Sequence, residues 1–421
     1  MVEFKNMNKN ELANMVETLQ GRYEQFKTQE LSLNMTRGKP CKEQLDLADK
    51  MLNYSEYKSK NGIDCRNYGG VDGLAEAKAL FSELLQVSED EIIISDNSSL
   101  ALMHDTVLRA MLLGVDKDSC AWGKLPKVKF ICPCPGYDRH FSICELFGIE
   151  MITVKMNEDG PDMDEIESLL KEDDSIKGMW CVPKYNNPTG ITFSDDIVKR
   201  IASMDTKAED FRIFWDNAYI VHHLSDSPDI LTNILEECKK SGNPDKVYIF
   251  SSTSKISFAG AGISIMAGSK SNIEIAKSRI SKQTIGPNKL NQLRHVQFFK
   301  NVNGICEHMK RHAEILKPKF NAVLSALDKE LDGKGIARWS NPNGGYFINV
   351  DVLPGCAKDI VAMAKEVGVV FTKAGATFPY GLDPDDKNIR IAPTFPPLEE
   401  LNKAIDVLCV CTQIVCARKF L

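Results

Sequence analysis

The sequence predicts an α/β protein with two parts: a large domain on a mostly parallel sheet flanked by helices, then a smaller α+β domain. Three observations predict it. From about residue 91 to 268, short β-branched apolar runs alternate with stretches of helical period. A second, shorter set of strand and helix patterns follows a long helical region near 270–330. At 421 residues the chain exceeds one ordinary core.

The elements run as follows. The first forty or so residues hold a helix and then the extended LSLNMTRGKP, expected to cross towards a site or to join the smaller domain. Candidate strands are EIIIS (91–95), VKFIC (128–132), MITVK (151–155), GMWCV (178–182), FRIFW (211–215), KVYIF (246–250) and GISIM (262–266). Helical segments such as SLALMHDTVLRAMLLG and DRHFSICELFG fall between most of them. That order makes neighbouring strands parallel and gathers ligands at their carboxyl ends. After the helical region come NGGYFINVDV, a helix about Lys358 to Glu366, GVVFTKAG, NIRIAPTF and a closing helix. The expected division is an N-terminal segment (1–45) joining the small domain, a large domain (46–300) and a small domain (301–421). No repeat or low-complexity linker separates them, so they are expected to pack together.

Composition narrows the class. Hydrophobic residues at 43% and charged residues at 26% describe a globular protein, and a net charge of −6 offers no basic footprint for nucleic acid. The N-terminus has acids and amides where a signal peptide needs an apolar core, and no run approaches membrane-spanning length, so a cytoplasmic location and no membrane partner are expected. The thirteen cysteines read as reduced core thiols. Cys132 and Cys134 lack a second ligand pair, so no metal is expected. His308 and His312, four apart on an expected helix, follow Glu307 without forming His-Glu-x-x-His, and are read as a solvated face.

Each residue that could carry chemistry falls just after a strand. In YIFSSTSKIS, Lys255 stands beyond a buried strand with Ser252 and Ser254 beside it. A lysine there can form an imine with an aldehyde cofactor if burial lowers its pKa, or can belong to a solvated turn. In FRIFWDNAY, Asp216 can pair with a pyridinium nitrogen or cap a helix, and Tyr219 can serve the site or only pack. Ser98 and Ser99 open a helix after EIIIS, where free N–H groups and hydroxyls suit a phosphate and where a simple cap is equally compatible. Tyr137 in CPCPGYDRH can stack on a planar ring or fill the core. Asn187 in KYNNPTG sits in a Pro-Gly turn, its amide available to a phenolic oxygen or a carboxylate. Arg390, inside the apolar NIRIAPTF, needs a carboxylate: a substrate's, in a bidentate clamp, or an internal Asp or Glu.

Together NNPTG, DNAY, SSTSK and IRIAP, in that order and spacing, resemble the fold-type I aminotransferases of the aspartate aminotransferase superfamily. The resemblance covers nearly the whole chain. LNMTRGKP, RNYGGVDGL, NSSLALM and SKISFAGAGIS are most similar to the bacterial type Ic aspartate aminotransferases. It implies pyridoxal 5'-phosphate joined to Lys255, which then moves the proton between Cα and the cofactor. It further implies Asp216 on the pyridine nitrogen, Tyr219 and Asn187 on the phenolic oxygen, and Tyr137 on the ring face. Ser98, Ser99 and Ser252 would hold the phosphate, with Tyr68 from the neighbouring subunit of a homodimer with shared active sites. Gly38, Asn187 and Arg390 would hold the substrate carboxylate.

One departure stands out: where most of the superfamily has an arginine for the phosphate, FAGAGIS puts Gly262. The activity implied is amino transfer from L-aspartate or glutamate to a 2-oxo acid by a ping-pong route. A dicarboxylate needs a second cation, and Arg37, Arg66, Arg139 and Arg294 are available, Arg37 preferred because it adjoins Gly38. Without one, aromatic or aliphatic amino acids would be favoured. β-Elimination on the same scaffold is a further alternative, and a non-catalytic regulator is disfavoured for want of a DNA-binding module.

Overall fold

In a computed structural model that describes residues 2–421, the elements run α1 (Lys9–Lys27), β1 (Leu33–Asn34), α2 (Lys42–Asp46), α3 (Ala75–Leu85), β2 (Ile92–Ser95), α4 (Ser99–Leu113), β3 (Lys129–Cys134), α5 (Asp138–Leu146), β4 (Glu150–Lys155), α6 (Met163–Glu172), β5 (Ile176–Cys181), α7 (Asp195–Ser203) and β6 (Arg212–Asp216). They continue with α8 (Ile234–Lys240), β7 (Val247–Ser252), β8 (Ser264–Gly268), α9 (Lys270–Ile280), α10 (Lys289–Phe299), α11 (Val302–Leu331), β9 (Ala337–Trp339), β10 (Ile348–Val352), α12 (Ala357–Glu366), β11 (Val369–Val370), β12 (Asn388–Ile391) and α13 (Leu398–Ala417). Every strand expected between 91 and 268 forms, shifted by one or two residues.

Seven strands make the large sheet, in the order β2-β8-β7-β6-β5-β3-β4. All are parallel except β8, which runs antiparallel to β2 and β7. The exception has a plain cause. Residues 253–263 join β7 to β8 without a helix, and a strand reached without a crossover must return antiparallel. Lys255 lies in that connection.

The central strands β5, β6 and β7 are buried at every position, as their predominantly apolar sequences require of a sheet covered on both faces. Alternation sends Ile213, Trp215 and Ile249 into one core and Phe214, Tyr248 and Phe250 into the other. Burying each such side chain is worth roughly 1.5–3 kcal/mol. A third core gathers α1, α11, α12 and α13 around the antiparallel sheet β12-β10-β9. Most of α13 is buried there, including Leu401, Leu408 and Val415. A helix apolar on nearly all sides has to be enclosed. Among the described residues no helix is long and apolar enough to cross a membrane. The N-terminal β1 pairs in parallel with β11, Leu33 opposite Val369, which ties the start of the chain to its last quarter.

Candidate active site

β6 is buried throughout, so it delivers its last side chain, Asp216, dry at the carboxyl edge of the sheet. No helix follows, only a turn, which removes the helix-cap reading of Asp216. Its Oδ2 accepts from His140 Nε2 at 3.1 Å, while its buried Oδ1 has no partner. His140 is held flat on Trp180, ring centroids 4.3 Å apart and planes 9° apart, and Tyr137 meets it edge-on at 5.0 Å. Tyr137 itself is half-buried. Desolvation, with Asp216 and Asp138 nearby, pushes its phenol well up.

Lys255 is half-buried, its Nζ 5.1 Å from the centre of the Tyr219 ring and 5.9 Å from that of Tyr346. Burial lowers its pKa and the charge of Asp216 partly opposes this. The backbone around it is pinned, since Lys255 O accepts from His222 Nε2 at 3.2 Å and Ile256 O from His308 Nε2 at 2.7 Å. Tyr219 is buried, which raises its phenol pKa strongly.

Hydroxyls collect beside this lysine. Ser98 caps α4, its Oγ accepting from Ala101 N–H at 3.1 Å, and Ser99 opens the helix. Ser252 Oγ donates to Ser254 Oγ at 3.2 Å, which donates to Asn97 O at 3.2 Å. This brings the end of β7 to the N-terminus of α4, a combination suited to an anion. Gly262 has no room for a side chain: a Cβ there would lie 2.9 Å from Thr253 Oγ1 and 3.0 Å from Phe258 O. Tyr68, on a loop whose Asn67 O accepts from Lys289 Nζ, is 82% exposed.

From the small sheet, β12 presents Arg390, 7% exposed. Its Nη1 donates to Asp138 Oδ1 at 3.0 Å and Asn187 Oδ1 at 3.2 Å, Nη2 to Thr372 Oγ1 at 3.4 Å, and Nε has no partner. The guanidinium lies 4.9 Å from the centre of the Phe347 ring. Gly38 is packed so tightly on that ring that a Cβ would stand 2.3 Å from Phe347 Cζ. Of the four other arginines, Arg66 is bound to Asp64, Arg37 and Arg139 are exposed and Arg294 is half-buried.

One expectation fails. His308 and His312 are buried, 5% and 1% exposed, not on a solvated face. They point inward because α11 turns that side to Phe298, Phe299 and α2, where Gln44 Nε2 bridges His312 Nδ1 and Tyr346 Oη at 2.9 Å each. Cys132 and Cys134 are buried thiols, and the described residues hold no cluster of metal-ligating side chains. The sequence reading passed over His140, Tyr346, Phe347 and Asp138. The strand-end segment CPCPGYDRH held the only visible signal for the first and last of these.

A half-buried lysine near a carboxylate with an open oxygen, on this α/β frame, fits an enzyme of the aminotransferase class. The chain belongs to the aspartate amino-transferase family, whose model matches residues 7–421. It is 44% identical over 407 residues to an aspartate aminotransferase of Corynebacterium glutamicum, covering 96% of this chain and 94% of that one. A crystal structure of an aspartate transaminase from the same species superposes with a TM-score of 0.97 at 43% identity, covering 100% of both chains. An alpha-aminoadipate aminotransferase from Thermus thermophilus, solved with N-(5'-phosphopyridoxyl)-L-leucine, shares the fold with a TM-score of 0.72 at 22% identity, covering 92% of this chain and 94% of that one.

Proposed function

We propose that this transaminase uses pyridoxal 5'-phosphate to move the amino group of L-aspartate or L-glutamate to a 2-oxo acid, 2-oxoglutarate or oxaloacetate, in a ping-pong cycle. The observation that carries this reading is the buried, partnerless Oδ1 of Asp216, near enough to Lys255 for its charge to act on the ammonium. A buried carboxylate oxygen without a donor is costly, and a protonated ring nitrogen is the partner it lacks. The serine hydroxyls at the start of α4 likewise fit a phosphate. When bound, that cofactor supplies an aldehyde for imine exchange and a ring that withdraws electrons.

The residues then divide the work. Asp216, fixed by His140, holds the proton on the ring nitrogen. Tyr137 would pack on the ring of the bound cofactor, and Asn187 and Tyr219 would bond its phenolic oxygen. Ser98, Ser99 and Ser252 hold the phosphate with the dipole of α4, and Tyr68 of a neighbouring subunit joins them in a homodimer. With Gly262 where most of the superfamily has an arginine, these hydroxyls and backbone N–H groups would take up much of the phosphate charge. Arg390, Asn187 and the backbone of Gly38 hold the α-carboxylate, and exposed Arg37 beside Gly38 takes the second carboxylate. Lys255 Nζ would take the Cα proton and deliver it to the cofactor's C4′. The same reading keeps the division 1–45, 46–300 and 301–421, and a cytoplasmic enzyme.

The test is spectroscopic. L-Aspartate should convert the visible band of cofactor-saturated enzyme, and 2-oxoglutarate should restore it. A band indifferent to aspartate but responsive to other amino acids would remove the substrate assignment, and no cofactor band at all would remove the proposal.

A further inference from the structure

A second cavity, about 250 Å³, lies on the other face of the large sheet. Side chains alternate along a strand, so Trp215 and Asn217 point away from the face that carries Phe214 and Asp216. Trp215, Asn217 and Ile249 line this cavity, with Ile220 and Leu231 beside them and Ile230, 86% exposed, at the rim.

Set into that apolar wall are polar groups for which the proposed reaction has no use. Lys184 is 7% exposed, and its Nζ donates to Ile220 O at 3.1 Å with no carboxylate at ion-pair distance among the described residues. Asn217 is also 7% exposed, and its Oδ1 has no partner. Tyr185 Oη accepts from Asp229 N–H at 3.1 Å, leaving its proton for His223 Nδ1 at 2.9 Å. His223, neutral because burial lowers its pKa to about 4, therefore carries its hydrogen on Nε2. Burial likewise lowers Lys184 to about 8. The nearby Asp229 is already engaged by Thr192 and Asn343, at 2.6 and 2.8 Å. A dry cation whose only nearby counter-charge, Asp229, is not in contact with it, and a dry acceptor without a donor, are both unfavourable until something supplies what they lack among the described residues.

We propose that this cavity is a second, non-catalytic binding site for an aliphatic α-amino acid. Its carboxylate pairs with Lys184 and His223 Nε2–H, its ammonium donates to Asn217 Oδ1, and its side chain packs on Trp215 and Leu231. The volume suits a ligand of that size and little larger. Asn217 adjoins Asp216 in the chain and Lys184 lies three residues before Asn187, so an occupant touches both strand ends that serve the catalytic face.

The test is calorimetric titration of L-leucine into cofactor-saturated enzyme with the visible spectrum recorded in parallel, followed by a crystal soak. One L-leucine per chain should bind without changing the spectrum, with density between Lys184 and Asn217. Lys184→Met should weaken that event about tenfold or more. Ile230→Glu, which puts a carboxylate on an exposed rim where folding is not at stake, should weaken it too. The proposal is overturned if L-leucine fails to bind, if it binds only where the spectrum responds, or if both variants bind it as tightly as the parent.

Discussion

Arg390 Nη1 stands 3.0 Å from Asp138 Oδ1, so the arginine that the small sheet aims across the site already has an internal carboxylate. A substrate carboxylate has to compete with it. Asp138→Asn should therefore lower KM for the amino acid severalfold, whereas Arg390→Lys, which loses the planar fork, should raise it by about tenfold to a hundredfold. Steady-state kinetics with L-aspartate reads both. Equal KM values in the two variants would remove Arg390 from the carboxylate site.

Gly38→Ala should act on the same binding step. The added methyl meets the Phe347 ring, which lies against Arg390. KM should rise about tenfold while the cofactor band stays where it is. A shifted band with unchanged KM would place Gly38 at the cofactor instead.

Lys255→Ala should abolish the visible cofactor band and cut turnover by at least about a thousandfold. Asp216→Asn should leave the lysine linkage intact and lower single-turnover rates on the order of a hundredfold. His140→Leu removes only the group that orients Asp216, so its loss should be smaller, about tenfold. If His140→Leu equalled Asp216→Asn, the imidazole would be doing more than fixing the carboxylate.

Acid should destabilise this protein through its buried imidazoles. Burial lowers His295 to about 4, and burial with the neighbouring His308 lowers His312 to about 3, against 6.5 for the ordinary side chain. In that window the unfolded chain binds protons that the folded chain refuses. Their contribution to stability is therefore complete above pH 6.5 and is lost as pH falls towards about 4 and then 3. Each unit of depression corresponds to about 1.4 kcal/mol. Thermal melts from neutral pH down to about pH 5 should show a falling Tm, and His312→Gln should flatten the fall. A Tm unchanged across that range would mean the imidazoles are already hydrated.

Local pattern carried most of the large sheet, because a strand buried on both faces is written as a mainly apolar run, as in VYIF and IFW. It did not carry orientation. GISIM reads as a strand whichever way it points, and its reversal follows only from the short connection through Lys255. Strand-end placement pointed to Asp216, Lys255 and Asn187, since a parallel sheet brings those ends together. The partner of Asp216 was not legible, because the match between His140 and the Trp180 ring is made across the sheet edge. Nor was the burial of His308 and His312. Part of their surroundings, Gln44 on α2 and Tyr346 just before β10, comes from far away in the chain, and a helical period cannot report what packs against it.

The pairing of Leu33 with Val369 also has a meaning in time. Gly38, made near the start of synthesis, meets Phe347 and through it Arg390, made near the end. When a ribosome has completed the whole large sheet, Phe347 and Arg390 are still to be made. Long-range closure of this kind is slow. The pocket edge formed by Gly38, Phe347 and Arg390 can therefore close only once the last strand, β12, has been made.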